Sequence, residues 1–238
     1  MIPYIIINGK SSKNVTGLLI QSLPPISKPA KRVDFDEIDG RDGDKSFFLG
    51  WEAYDKTISI GLKPDAFIDD IIEYFNQSGE IIFSNEIDKF YKFSCYNKID
   101  FNRLVRYKTA NVVVHVQPFK YPVDEQPVYF SSDIREPLIY TKKIKNTGNV
   151  FSKPVYKIKG SGDINIYLNG QRALKMTLPN NTEATLDTED MNLVGNGQYL
   201  NRLAVGDYED LTLMPGVNDF TLTGDIEYFK ITRYSRWI

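Results

Sequence analysis

Residues 154–178 read PVYKIKGSGDINIYLNGQRALKMTL and carry the clearest strand pattern in the chain. Apolar side chains occupy every second position over residues 164–168, which is typical of a strand with one buried face. The dipeptide Asn169-Gly170 follows directly, and it predicts a two-residue hairpin turn because both residues tolerate a positive φ. Glycines in residues 160–163 predict a further break between strands. The segment therefore predicts three short antiparallel strands, at residues 154–159, 164–168 and 172–178.

The rest of the second half has the same character. Further strands are predicted at residues 139–145, 183–187, 217–223 and 227–233. Short strands at this spacing indicate an antiparallel β-sandwich of about 100 residues. Residues 121–137 contain prolines and no clear pattern, as expected of a connection between domains. We therefore predict two domains, residues 1–130 and residues 131–238.

The first half also consists mainly of predicted strands. They are expected at residues 4–7, 15–22, 57–62, 80–84, 90–96 and 111–117. Asn8-Gly9 breaks the first of them in a hairpin turn. One helix is predicted from Asp65 to Asn76, with Asp65 as its N-cap, helical spacing of apolar residues, and termination by Ser78-Gly79. The fold class predicted is mainly β, with a sandwich or split barrel carrying one helix in the first domain.

Composition excludes several classes of function. The 238 residues carry a formal net charge of -2, which argues against a dedicated nucleic-acid binder. The single cysteine, Cys95, excludes an intramolecular disulfide framework and a multi-thiolate metal site. The single histidine, His115, has no nucleophile pattern beside it, so we expect no catalytic residue, no metal and no cofactor. No apolar run is long enough to span a bilayer, so no membrane insertion is expected.

The acidic stretch at residues 34–44, DFDEIDGRDGD, invites comparison with a calcium-binding loop. An EF-hand starting at Asp34 would need glycine at position six and glutamate at position twelve, where Asp39 and Lys45 stand. The match fails. We predict instead a solvated or partner-facing hairpin that bends at residues 40–43.

An ordered set of motifs in the first half resembles the distal tail protein family of long-tailed phages that infect Gram-positive bacteria. A proline-rich strand and basic patch at residues 23–32 lead into the acidic-aliphatic residues 33–39 and a GRDG bend at residues 40–44. The helix at residues 65–76 fits the same family. Residues 112–121, VVVHVQPFKY, are similar to the strand and turn that close its first domain.

The second half continues the resemblance, to the galectin-like domain of the same family. The matching segments lie, in order, at residues 146–149, 152–154, 158–163, 168–170, 207, 211, 215–218, 224 and 233–237. The resemblance thus covers nearly the whole chain. The order and spacing of these segments are more specific for the family than any single segment is.

The resemblance implies a structural protein without enzymatic activity, located at the tail tip of a virion and synthesised in the cytoplasm of the host bacterium. It implies a hexameric ring whose partners are other copies of the chain, the major tail-tube protein, the tail-associated fibre or lysin protein, and a receptor-binding or baseplate protein. Phage DNA would pass through the lumen without specific binding. Residues 1–130 would form the ring, and residues 131–238 would form the galectin-like antiparallel sandwich.

A head-to-tail contact in such a ring needs complementary surfaces, and the basic patch and acidic hairpin supply both signs of charge. Carboxylates around a lumen would also repel DNA phosphates. The candidate subunit or partner interface consists of Lys28, Lys31, Arg32, Asp36, Glu37, Arg41 and Asp42.

Two alternatives remain open at this stage. One is a carbohydrate-binding module for host wall polysaccharide, with Tyr167, Tyr199 and Asn201 as candidate residues. Against it, galectin sites use a His-x-Asn-x-Arg pattern and a stacking tryptophan, whereas no histidine follows His115 and the only late tryptophan is Trp237. The other is a tail-tube or baseplate subunit of related fold, against which the second domain argues.

Overall fold

A computed structural model describes residues 2–100, 108–131 and 139–238. The chain divides into two compact units, one of Met1–Val123 with Ile238 and one of Asp124–Trp237. The predicted assignment of roles to residues 1–130 and 131–238 stays a prediction. Residues 132–137 of the predicted connection lie outside the described residues. Another part of the connection is strand in the structure.

The described residues of the first unit include nine strands. They are β1 (Ile5–Ile7), β2 (Lys10–Ser11), β3 (Leu18–Ser22), β4 (Lys31–Glu37), β5 (Asp44–Trp51), β6 (Tyr54–Leu62), β7 (Ser78–Phe83), β8 (Lys89–Ser94) and β9 (Thr109–Pro122). Seven of them form an antiparallel sheet in the order β2-β1-β7-β8-β9-β6-β3, and β4 and β5 form a separate two-stranded sheet.

The single described α-helix, α1 (Ile68–Phe75), packs on this sheet. Its buried face consists of Ile71, Tyr74 and Phe75. The Tyr74 hydroxyl donates a 3.1 Å hydrogen bond to the carbonyl oxygen of Lys10, which ties the helix to β2. The helical spacing of apolar residues predicted the burial of Ile71 and Phe75 correctly, whereas Phe67, which belongs to the same pattern, is 64% exposed.

The predicted start of the helix at Asp65 is wrong, whereas the predicted end at Asn76 agrees with the structure to within one residue. Phe67 is the N-cap residue and makes no side-chain cap bond, so Asp65 does not cap the helix. The backbone at Phe67 is still extended, with φ of -97° and ψ of 116°. The last helical bond runs from the Asn76 N–H to the Ile72 carbonyl oxygen, and Gly79 lies in β7 rather than terminating the helix.

Alternation along the strands builds the core of the first unit. In β9, Val112, Val114 and Val116 are buried in one hydrophobic cluster, while His115 lies on the opposite face as predicted. Cys95 is half-buried. Burial raises the pKa of its thiol.

Eight strands form the sheet of the second unit. They are β10 (Val128–Ser131), β11 (Ile139–Asn146), β12 (Val155–Leu168), β13 (Gln171–Asp187), β14 (Asn192–Gly195), β15 (Gln198–Tyr199), β16 (Ala204–Gly206) and β17 (Gly216–Thr232). The order is β10-β17-β12-β13-β14-β15, with β11 also pairing with β17 and β16 with β13. The predicted mainly β fold class is confirmed.

Three of these strands are longer than predicted. Each joins two predicted strands: β12 runs through residues 160–163, and β13 and β17 cross the breaks expected near residues 179–182 and 224–226. In β12 the pairing register shifts between Gly160 and Gly162, so the glycines mark an irregularity within a strand and not its end.

Both predicted Asn-Gly hairpins are confirmed. Asn169 and Gly170 have φ values of 51° and 82° and connect β12 to β13. Asn8 and Gly9 have φ values of 47° and 82° and connect β1 to β2. Positive φ at both central residues is the type I′ geometry that matches the twist of the flanking strands.

A group of aromatic side chains packs together in the core of the second unit. The rings of Tyr156, Phe220 and Phe229 lie 5.4 to 6.0 Å apart between centroids, and Phe130 packs against the two phenylalanines. The buried Tyr156 hydroxyl donates a 2.7 Å hydrogen bond to the carbonyl oxygen of Leu211. In the part of the chain that the structure describes, no helix has the length and apolar character needed to cross a bilayer.

Candidate interaction surface

The predicted acidic hairpin is present and consists of β4 and β5. These strands pair only with each other among the described strands, from Lys31 opposite Trp51 to Glu37 opposite Asp44. The chain reverses at residues 38–43, where Gly40 and Gly43 have φ values of 80° and 78°. Almost every residue of the hairpin is exposed, which confirms the predicted exposed hairpin and the position of its bend.

One face of the hairpin is apolar, and we call Val33, Phe35, Phe48 and Trp51 the aromatic face. Phe48 lies opposite Val33, and its ring meets that of Trp51 edge-on at a centroid distance of 5.5 Å. Phe35 and Phe48 are 57% and 55% exposed. Aromatic side chains on a two-stranded ribbon have no core to enter, so the exposed aromatic face is a candidate interaction surface.

The opposite face is charged. It consists of Arg32, Asp34, Asp36, Lys45 and Phe47, and Asp36 lies directly opposite Lys45 in the strand register. The Lys45 ammonium lies 4.8 Å from the centroid of the Phe47 ring. The alternation of strand side chains thus places Val33, Phe35 and Phe48 on one face, between charged residues at its two ends, and mainly charged residues on the other face.

The basic part of the predicted interface gathers at the base of the hairpin. The ammonium groups of Lys28 and Lys31 each lie 5.6 Å from the centroid of the Trp51 ring. Arg32 donates from Nη2 to the carbonyl oxygen of Leu49 at 3.5 Å. These three cations contact aromatic rings or backbone, which are favourable partners for exposed lysine and arginine side chains.

The other predicted interface residues lie near the tip. Asp36 and Glu37 end β4, while Arg41 and Asp42 occupy the bend, and the Arg41 N–H donates to the Ile38 carbonyl oxygen at 3.1 Å. A strand of seven residues separates base and tip by about 20 Å. The structure therefore places three of the four predicted cations at the base of the hairpin, while the fourth, Arg41, lies with the predicted acids at its tip.

Sequence reasoning missed the aromatic face. The signal was present in the alternation of Val33 and Phe35 and in the run Phe47-Phe48-Leu49 within an otherwise charged stretch. The charged residues that surround these aromatic residues indicate a solvated hairpin instead. The position of those residues on one exposed face became clear only from the strand register.

His115 has a partner that the sequence did not predict. Its Nδ1 lies 2.7 Å from Oδ1 of Asp55 across the β6–β9 pair, and the Tyr96 ring lies 5.7 Å from the imidazole between centroids. All three side chains are partly or fully exposed on the outer face of the sheet. The Asp55 carboxylate thus orients the imidazole at the surface of the sheet.

The candidate sugar-binding residues have different environments. Asn201 accepts hydrogen bonds at Oδ1 from the Leu193 N–H at 2.6 Å and from the Tyr208 hydroxyl at 3.4 Å, so its side chain holds a loop. Tyr167 is half-buried in β12, whereas Tyr199 is 75% exposed. Within residues 2–100, 108–131 and 139–238, no group of three His, Cys, Asp or Glu side chains is arranged to hold a metal ion.

Comparison with solved structures identifies the same fold elsewhere. No protein-family model matches the chain, and neither does any curated protein. The chain is similar to the Dit protein (gp 19.1) of phage SPP1, from the hub adsorption apparatus of phages that infect Gram-positive bacteria. That similarity has 16% identity and a TM-score of 0.65 over 97% of this chain and 98% of that one.

The chain is also similar to a structure of the phage P2 baseplate in its activated conformation with Ca. This second similarity has 8% identity and a TM-score of 0.47 over 98% of this chain and 100% of that one. The likeness to the SPP1 protein extends over both units, and from it we conclude that the chain has the fold of the SPP1 Dit protein.

Proposed function

We propose that the chain is a structural distal tail protein of a phage of Gram-positive bacteria and forms a hub at the tail tip. In this role six copies close into a ring that joins the tail tube to the fibre or lysin protein and to receptor-binding or baseplate proteins. DNA passes through the lumen of the ring without specific binding. The chain has no enzymatic activity in this role.

The observation that carries the proposal is the shared fold over nearly the full length of both chains. The exposed hairpin supports it, because a ribbon with an aromatic face is typical of a protein that buries it in an assembly. A contact between two different surfaces of identical chains closes into a ring when the rotation between neighbours permits.

The two units take different roles in this proposal. The first domain, residues 1–130, carries the hairpin and forms the ring, while the galectin-like domain, residues 131–238, faces partner proteins. Against direct sugar recognition by the second domain, the Asn201 amide already accepts two hydrogen bonds within its own loop. The acidic tip of the hairpin would repel DNA phosphates wherever it borders a lumen.

Electron microscopy of the purified protein, together with light scattering, tests the proposal directly. We expect six-fold rings with a central channel and a particle mass of six chains of 27.3 kDa. Monodisperse monomers at micromolar concentration, both alone and with the tube protein, would contradict it.

Arg41 at the tip of the hairpin gives a point test. We expect Arg41→Glu to weaken ring assembly, because the exposed tip already carries Asp39 and Asp42 and a further carboxylate would add like charge. Light scattering across a dilution series measures the loss. Arg202→Glu, an equally exposed charge reversal in the second unit, serves as the matched control and should leave the mass unchanged. An unchanged particle mass in both variants would show that Arg41 does not belong to the interface.

A further inference from the structure

The first unit has an apolar depression of about 420 Å³ beside β3. Its lining consists of Ile2, Pro3, Ser12, Lys13, Leu18, Leu19, Ile20 and Lys63. Ile2 is 74% exposed and Leu19 is 36% exposed, so apolar side chains border this opening. An apolar concavity of this size fits one or two aromatic side chains of a partner.

The strand beside the depression also has free pairing capacity. β3 is the edge strand of the seven-stranded sheet, and β6 is its only partner among the described strands. An edge strand presents backbone N–H and C=O groups to which an extended segment from another chain can hydrogen-bond. A docked β-ribbon would therefore gain main-chain hydrogen bonds as well as apolar contact.

Two cations border the same depression. Lys13 and Lys63 are exposed, and Lys13 lies with its ammonium 3.8 Å from the centroid of the Tyr4 ring. Neither lysine belongs to an ion pair within the described residues. The partner that this surface fits is therefore apolar in the middle and carries carboxylates.

The hairpin has those properties. Glu37 and Asp44 lie directly opposite each other in the register, on the face that carries Phe35 and Phe48. Like charges at directly opposed positions destabilise a strand pair. No ion pair among the described residues relieves them. Cations from another molecule would turn this unfavourable pair into a favourable contact.

We infer that the depression beside β3 receives the aromatic face of the hairpin from a second copy of this chain. Phe35 and Phe48 enter the apolar opening, while Glu37 and Asp44 meet Lys13 and Lys63. Because the two surfaces differ, the contact is head-to-tail. The inference rests on the proposed ring and names the surface that receives the hairpin.

Charge exchange tests the contact. Lys13→Glu with Lys63→Glu, and separately Glu37→Lys with Asp44→Lys, should each lower the apparent association constant about tenfold or more by light scattering. The chain carrying all four changes should regain an apparent association constant within about threefold of that of the unchanged protein. All four side chains are exposed, so circular dichroism should show unaltered folding. Failure of the fourfold variant to recover would overturn the inference.

Disulfide trapping locates the contact independently of the ring. In a Cys95→Ser background, a Leu19→Cys protein is mixed with a Phe35→Cys protein and oxidised by oxygen with copper phenanthroline. We expect cross-linked dimers to form only when both proteins are present. Cross-linking of the Leu19→Cys protein with itself would indicate β3 pairing with β3 and would overturn the inference.

The two proposals fail in distinguishable ways. In one case electron microscopy shows six-fold rings, but the fourfold variant does not regain association and no mixed cross-link forms. This result would support the hub function and would exclude the depression beside β3 as the surface that receives the hairpin. Mixed cross-links without rings would support the contact while contradicting the hexameric hub.

Discussion

Tyrosine hydroxyls buried in both units link the stability of the protein to pH. Tyr74 and Tyr91 are buried in the first core, and Tyr156 is buried in the second. Loss of hydration raises the pKa of each hydroxyl well above its usual value of 10.0. The Tyr91 hydroxyl also donates to Oε2 of Glu86 at 2.9 Å, and this carboxylate disfavours the phenolate further.

The direction of the pH effect follows from proton binding. Above pH 10 the unfolded chain releases tyrosine protons that the folded chain keeps, so the unfolded state binds fewer protons. The stabilisation is complete below pH 10, and the free energy of unfolding falls as pH rises above it. Each buried tyrosine contributes up to about 1.4 kcal/mol per pH unit.

Tyr156→Phe tests this in the second unit. We expect a loss of about 1 to 2 kcal/mol at pH 7, because the Leu211 carbonyl oxygen loses its donor, and a shallower decline of stability above pH 10. Urea unfolding at pH 7 to 11 measures both effects. Tyr199→Phe, at a 75% exposed position, should change neither. An identical alkaline slope in Tyr156→Phe and the unchanged protein would contradict the assignment.

At the scale of elements, glycines let the long strands of the second unit continue through irregular pairing. A Cβ on Gly160 would collide with the carbonyl oxygen of Asp225 in the neighbouring strand β17. Gly162, two residues later, faces open space but has φ of 68°, a left-handed conformation. The two glycines are therefore needed for different reasons, one for space and one for backbone conformation.

Matched substitutions separate the two reasons. Gly160→Ala and Gly160→Asn should both destabilise the second unit by about 1 to 3 kcal/mol through the collision. Gly162→Ala should cost about 1 to 2 kcal/mol, whereas Gly162→Asn should cost less because asparagine tolerates positive φ. Chemical unfolding of the four variants measures the pattern. Equal costs for Ala and Asn at residue 162 would contradict the conformational explanation.

At the scale of the whole molecule, the buried hydrophobic residues form two separate clusters. One includes Ile60 and the other includes Leu222, and no residue that the structure describes belongs to both. Cores that share no residues unfold as separate cooperative units when little else couples them.

Core truncations test this independence in the full chain. Ile60→Ala and Leu222→Ala should each cost about 2 to 5 kcal/mol, because both side chains are fully buried. In scanning calorimetry we expect each variant to lower a different one of two transitions. A single transition that shifts as a whole in both variants would show that the two units unfold together.

Local features of this fold were predictable from the residues alone. The Asn8-Gly9 and Asn169-Gly170 turns follow from the positive φ that those residues accept, and the buried valines of β9 follow from the two-residue period of a strand. The resemblance to the distal tail family rested on the order of many weak local motifs. The bend of the acidic hairpin was predictable for the same local reason.

Other features depend on contacts between residues far apart in the sequence. The continuity of β12 through Gly160 requires β13 and β17 on its two sides. The aromatic face is the strongest case. Whether Phe35 and Phe48 are core or surface depends on what packs against them, and local sequence does not contain that information.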